Sequence, residues 1–148
     1  MGHILYFAYG VDLARAEFLR RWPGADWLGV AKLEDHRFFI TSAGRVNVKA
    51  EPGAAVWGVL WLVPAVSLET FDAALAAAGV GFEVTTRRVV SPAGPKIEAT
   101  LFYSPETKAG VTEKEHANAV LAGARESGLP AVYIRELEAG MARGKDSH

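Results

Sequence analysis

Proton transfer near neutral pH needs a carboxylate, imidazole, thiol or phenol held in place by the fold. This chain has no cysteine, which removes a thiolate nucleophile, a disulfide framework and a thiolate-bound metal together. Its four histidines, His3, His36, His116 and His148, are scattered without ligand spacing, so no metal is expected. No serine occupies a Gly-x-Ser-x-Gly elbow and no phosphate-binding glycine loop follows a strand, which leaves a hydrolase triad and a nucleotide site without support. The remaining candidates are carboxylates and tyrosines. Asp12 stands where an apolar run gives way to a helical pattern and can cap the first turn. Asp72 precedes Leu75 by three residues in a later helical pattern and shares its side. Glu83 follows Phe82 in an extended run and points to the opposite face. No cofactor is expected.

The elements that must position these residues follow from periodicity. Ile4 to Tyr9 reads as a strand, Gly10 as a break, and Asp12 onward as a helix with Leu13, Phe18 and Trp22 on one side, ended by Pro23-Gly24. Trp27 to Thr41 is extended with a polar interruption at Glu34–Arg37, Val46 to Lys49 alternates, and Glu51-Pro52-Gly53 reads as a turn. Val56 to Val63 is continuously apolar, as expected of a central strand buried on both faces. Ser67 can cap a helix striped by Leu68, Phe71, Leu75 and Ala78 and stopped by Gly79. Phe82 to Val90 and Ile97 to Tyr103 form an expected hairpin across Ser91-Pro-Ala-Gly. Thr112 and Glu115 have capping-box spacing for a helix to about Ser127, and Pro130 opens a last helix ending near Gly140, with residues 139–148 as a frayed tail. About six strands with irregularly placed helices indicate an α+β domain, with the sheet able to close into a barrel.

With 148 residues, half of them hydrophobic, the whole chain 1–148 fits one domain with a substantial core. Sixteen basic and seventeen acidic residues nearly cancel, and no long like-charge block occurs, so nucleic acid is not an expected partner. The longest apolar run, Ala54 to Val66, is too short to span a bilayer, and no basic region precedes the apolar residues at the start. A cytoplasmic location away from membranes is the expectation.

Tyr6-Phe-Ala-Tyr-Gly-Val-Asp-Leu13 resembles the opening signature of the γ-glutamylcyclotransferase-like family, whose run reads Tyr-Gly-Ser-Asn-Leu. Gly44-Arg-Val-Asn-Val, Pro52-Gly53, Val56-Trp-Gly-Val-Leu-Trp and Gly123-Ala-Arg-Glu-Ser-Gly-Leu-Pro, then Tyr133 and Leu137, follow in the family's order. The resemblance covers Ile4 to Leu137 and implies a mixed β-barrel or sheet with flanking helices. It implies attack of a γ-glutamyl α-amine on its own γ-carbonyl, giving 5-oxoproline and a freed amine, with one carboxylate shuttling the proton. The implied pocket is lined by Tyr9, Gly10, Val11, Asp12, Leu75, Phe82 and Tyr133.

Four of those positions depart from the family's chemistry. Ungapped counting from Val56-Trp57-Gly58 places Leu75 where the family has its catalytic glutamate, and an aliphatic side chain moves no proton. Phe82 keeps the ring of a family tyrosine without its hydroxyl, Val11 replaces the serine, and Asp12 replaces the asparagine. A carboxylate where the family receives an anion opposes it by about 4 kcal/mol at about 4 Å and an effective dielectric of about 20. The ligand expected is therefore a small molecule carrying an amine, or a γ-glutamyl-like group. These departures imply a binding protein or pseudoenzyme. The alternatives are an active 5-oxoproline-forming or related amide-cleaving enzyme with Asp12 or Asp72 as relocated base, and a non-catalytic module that docks through an exposed Trp or Phe surface.

Overall fold

The first apolar run forms β1 (His3–Ala8), buried at Tyr6, Phe7 and Ala8. The computed structural model describes residues 2–10, 13–42, 44, 46–64, 83–105, 107–110 and 112–146. After β1 come α1 (Arg15–Arg21), β2 (Asp26–Ile40), β3 (Val46–Pro64), β4 (Glu83–Val90), β5 (Lys96–Tyr103), α2 (Lys114–Glu126) and α3 (Ala131–Asp146). The strands close into a barrel in the order β1-β3-β2-β4-β5. β1 runs antiparallel to β3 and meets β5 in parallel, Tyr6 opposite Thr100, so the first strand seals the barrel. This is the expected α+β class, a mixed barrel with flanking helices.

Phe7, Leu33, Val56, Leu60 and Leu101 are almost fully buried, and Gly58 to Trp61 are buried at every position, as the continuous apolar run of β3 predicts. On the side of Tyr6 and Trp61, α1 inserts Phe18. Its ring stacks on Trp61 at 4.4 Å and on Tyr6 at 5.8 Å. Such ring pairs add about 0.5–1.5 kcal/mol each beyond the area they bury. Pro130 precedes α3 as expected, and the helix continues past its expected end at Gly140 to Asp146. Gly140 is a packing contact: a Cβ there would lie 2.7 Å from the Phe38 ring.

Two local expectations are corrected in the same way, by long-range partners that outcompete local ones. Glu51-Pro52-Gly53 is no turn between strands; β3 runs through it, and Glu34 and His36 pair with Ala55 and Ala50, leaving residues 51–54 opposite Asp35 alone. Asp35 adopts φ 58° there and accepts the Gly53 N–H on Oδ1 at 3.0 Å. The polar stretch Glu34–Arg37 thus stays within a long strand, opposite a bulge formed by residues 51–54 of β3. Thr112 does not cap α2, whose N-cap is Glu113 without a side-chain bond; its hydroxyl donates to the Gly44 carbonyl at 2.8 Å. The N-cap of α1 is Ala14, and Asp12 lies outside the described residues.

The expected hairpin is present as β4 and β5, antiparallel from Glu83–Tyr103 to Val90–Lys96, turning through Ser91 N–H to Pro95 O and Gly94 N–H to Ser91 O. Among the described residues no helix is long and apolar enough to cross a membrane.

At the end of β5 the side chain of Asn47 stands in for a strand neighbour. Its Nδ2 donates to the Ser104 carbonyl at 2.8 Å, and its Oδ1 accepts the Ser104 N–H at 2.9 Å. Asn47 is 1% exposed. Asn47→Ala removes both bonds from partly enclosed backbone groups and should lower stability by about 2 kcal/mol. Urea unfolding beside the parent protein measures this.

Candidate functional site

β1 delivers the chain to Tyr9 and Gly10, and a turn from Leu13 N–H to Gly10 O at 3.0 Å leads into α1. Tyr9 is buried, and its hydroxyl donates to the Phe102 carbonyl at 2.6 Å, which ties the loop to β5. At the same level β3 passes so close to β1 that a Cβ on Gly58 would collide with the Ala8 carbonyl and lie 2.8 Å from the Phe7 ring. The glycine of the Trp57-Gly58 block is thus required by the approach of two strands.

The other side of the loop is held by the end of α2. A Cβ on Gly123 would come within 2.7 Å of the Ala14 nitrogen and 2.8 Å of the Leu13 carbonyl carbon. Ser127 Oγ donates to the Leu13 carbonyl at 3.0 Å, and Arg15 N–H donates to Glu126 Oε1 at 3.0 Å. A carboxylate 111 positions away in sequence thereby accepts the first N–H of the helix. The opening and carboxy-terminal sequence blocks, read separately in the sequence, are one contact. In the sequence Gly123, Glu126 and Ser127 appear only within the carboxy-terminal block, and their contacts with the loop are seen in the structure.

Tyr133 approaches the same region from α3. It is 3% exposed, meets the Phe38 ring edge-on at 6.0 Å, and its hydroxyl has no hydrogen-bond partner among the described residues. Burial pushes the phenol well above its ordinary range. The Trp57 backbone N–H faces it and eases the shift without reaching hydrogen-bond geometry, while Glu136 adds to it. Tyr133 is therefore a neutral buried hydroxyl able to donate. The structure thus gathers Tyr9, Gly10 and Tyr133 around the Trp57-Gly58 segment. Val11, Asp12, Asp72, Leu75 and Phe82, with the helix expected from Ser67, lie outside the described residues.

Trp61 is fully buried, and Trp22, Trp27 and Trp57 are half-buried; the large exposed hydrophobics among the described residues are Leu28, Val84 and Val132. An exposed aromatic docking surface is not found among them.

Comparison with known proteins gives the family and the fold neighbours of this chain. Residues 55–137 match the AIG2-like family, and the chain belongs to it. It is 27% identical over 145 residues to a human protein named γ-glutamylcyclotransferase, spanning 91% of this chain and 77% of that one. A solved γ-glutamyl cyclotransferase superposes with a TM-score of 0.84 at 26% identity, over 93% of this chain and 87% of that one. A yeast γ-glutamyl cyclotransferase specific to glutathione shares the fold, with a TM-score of 0.65 at 10% identity over 100% of this chain and 99% of its own.

Two outcomes follow from this geometry. Gly123→Ala forces a methyl group into the backbone of the loop and should cost about 3 kcal/mol, read by urea unfolding against the parent. For Tyr133, the unfolded phenol ionises near 10.0 while the folded one keeps its proton to higher pH. Above about pH 10 the unfolded state binds fewer protons than the folded state, so stability falls as pH rises. Tyr133→Phe should remove that part of the fall and change stability near neutrality by less than about 1 kcal/mol, because it deletes an unpaired hydroxyl. Unfolding curves of both proteins at about pH 7 and about pH 11 test the pair of expectations.

Proposed function

We propose that this chain is a γ-glutamylcyclotransferase-like small-molecule-binding protein that has lost γ-glutamyl cyclisation as its relatives' name describes it. The observation that carries the reading is Leu75. Ungapped counting from Trp57-Gly58 puts it where the resemblance requires a glutamate, and hydrocarbon has no proton to give or lone pair to take one. Cyclisation needs the α-ammonium of a γ-glutamyl compound to lose a proton and the departing nitrogen to gain one. Without a carboxylate in place, both transfers lack a carrier.

Two features support retention of a binding role over decay of the whole site. The loop at Tyr9-Gly10 keeps its attachments to Phe102, Leu13 and α2, which a chain with no further use for the loop would have little reason to hold. The departures at Val11, Asp12, Leu75 and Phe82 also change the chemistry of the implied pocket together.

The test is release of 5-oxoproline from a panel of γ-glutamyl amines and dipeptides, with Leu75→Glu run beside the parent. Silence from the parent with turnover in the variant is the expected result, since it leaves the pocket intact and the proton carrier missing. Turnover by the parent would overturn the reading and direct attention to Asp12 and Asp72. Silence from both, with Leu75→Glu folded, would mean a ligand outside the γ-glutamyl class.

A further inference from the structure

The register of the barrel fixes which face of β4 looks inward. Tyr6 and Trp61 pair across β1 and β3 and carry the Phe18 ring of α1, so their face is the outer one. Trp57 lies on the same face of β3 as Trp61 and pairs with Lys32 of β2, which pairs with Val90 of β4. Val90 is therefore outward and Val89 inward, with Arg87, Thr85 and Glu83 following on the inner face at alternate positions. Val89 is buried, and so are Ala99 and Leu101, which oppose Arg87 and Thr85 on β5. Glu83 and Arg87 are nevertheless exposed. Charged groups on the inner face of a small barrel run against the rule that apolar side chains fill it, and call for a use.

The two charges are held in place, and held apart. Glu83 Oε2 accepts from the Tyr103 hydroxyl at 2.7 Å, which turns the carboxylate toward β5. Arg87 Nη1 reaches back to Thr85 Oγ1 at 2.7 Å and the Thr86 carbonyl at 2.8 Å. No ion pair joins Glu83 to Arg87. Both act on the Tyr103 phenol: the hydrogen bond to Glu83 and that carboxylate's charge raise its pKa, and Arg87 draws it back. The guanidinium thus stands near Tyr103 without neutralising the carboxylate beside it. Folded back to Thr85, it is two residues from Glu83, about 7 Å along the strand.

We propose that the inner face of β4 binds an α-linked dipeptide with both termini free, its ammonium on Glu83 and its carboxylate on Arg87. The proposal rests on the reading of this chain as a small-molecule-binding protein. A free amino acid carries both charges on one carbon and cannot meet both partners, and the same is true of the ammonium and carboxylate at the head of a γ-glutamyl group. Two extended residues span about 7 Å, which matches the separation on β4. A γ-glutamyl dipeptide sets its ammonium and its far carboxylate further apart. Tyr103 occupies one oxygen of Glu83 and leaves Oε1 to accept from an ammonium. Arg87 uses Nη1 on its own strand and keeps Nη2 and Nε for a two-point bond to a carboxylate, a stronger acceptor than the neutral oxygens it now holds.

Isothermal titration calorimetry with alanyl-alanine and with leucyl-leucine, each to about 10 mM, should show saturable binding at one site per chain. Acetylating the amino terminus, amidating the carboxylate, or offering free alanine should each weaken binding at least about tenfold, because one charged hydrogen-bonded contact is lost. Glu83→Gln should abolish the penalty for acetylation and keep that for amidation, and Arg87→Gln should do the reverse. A purely structural role for either residue would move all ligands alike. Circular dichroism of both variants should match the parent, since both side chains are exposed. Absence of binding by both dipeptides overturns the proposal, as does binding indifferent to the blocked termini or to both variants. Tighter binding of γ-glutamyl-alanine than of either dipeptide would overturn it as well. Binding is read here without turnover, so release of 5-oxoproline bears on the proposed loss of cyclisation alone.

Discussion

Between Gly123 of α2 and the peptide that joins Leu13 to Ala14 there is no space for a methyl group. That closeness lets Ser127 reach the Leu13 carbonyl and Glu126 reach the first N–H of α1. α1 in turn carries Phe18 onto Trp61 and Tyr6, so the helix that closes one side of the barrel is seated by a residue more than a hundred positions later. The loop in between, with Tyr9 fixed to Phe102, inherits its geometry from both. A side chain at Gly123 would press on the loop, and the loop on α1.

The same constraint explains what was legible in the sequence. The β4–β5 hairpin and the doubly buried centre of β3 could be read because their signals are local: a Ser-Pro-Ala-Gly turn between two extended runs, and an apolar run without alternation. Caps and breaks were misread wherever a distant group supplied the partner. Thr112 has the right chemistry and spacing for a cap, but its hydroxyl goes to the Gly44 carbonyl. Pro52-Gly53 has turn chemistry, and its unusual backbone, φ 85° at Gly53, is used inside a strand, in the bulge opposite Asp35. Gly140 looked like a stop because the ring of Phe38 above it could not be foreseen. Of the candidate site, the placement of Tyr9, Gly10 and Tyr133 near Trp57-Gly58 was reachable only through the family resemblance, since nothing in their spacing brings them together.

A fold of this kind and the chemistry it hosts are separable. The groups that build the frame are glycines, backbone carbonyls and a few polar side chains, all with partners inside the protein. The groups that would decide a reaction are one or two side chains on that frame, and their exchange costs the frame little.

The sealing of the barrel by its first strand sets an order on assembly. β1 takes its antiparallel neighbour from residues 59–64 and its parallel neighbour at Thr100, and Tyr9 needs the carbonyl of Phe102. On the ribosome, at about 5–20 residues per second, an apolar strand at the start of the chain waits several seconds for its last partner to emerge. During that interval the apolar run Ile4 to Tyr9 is without the neighbours that bury it in the folded barrel.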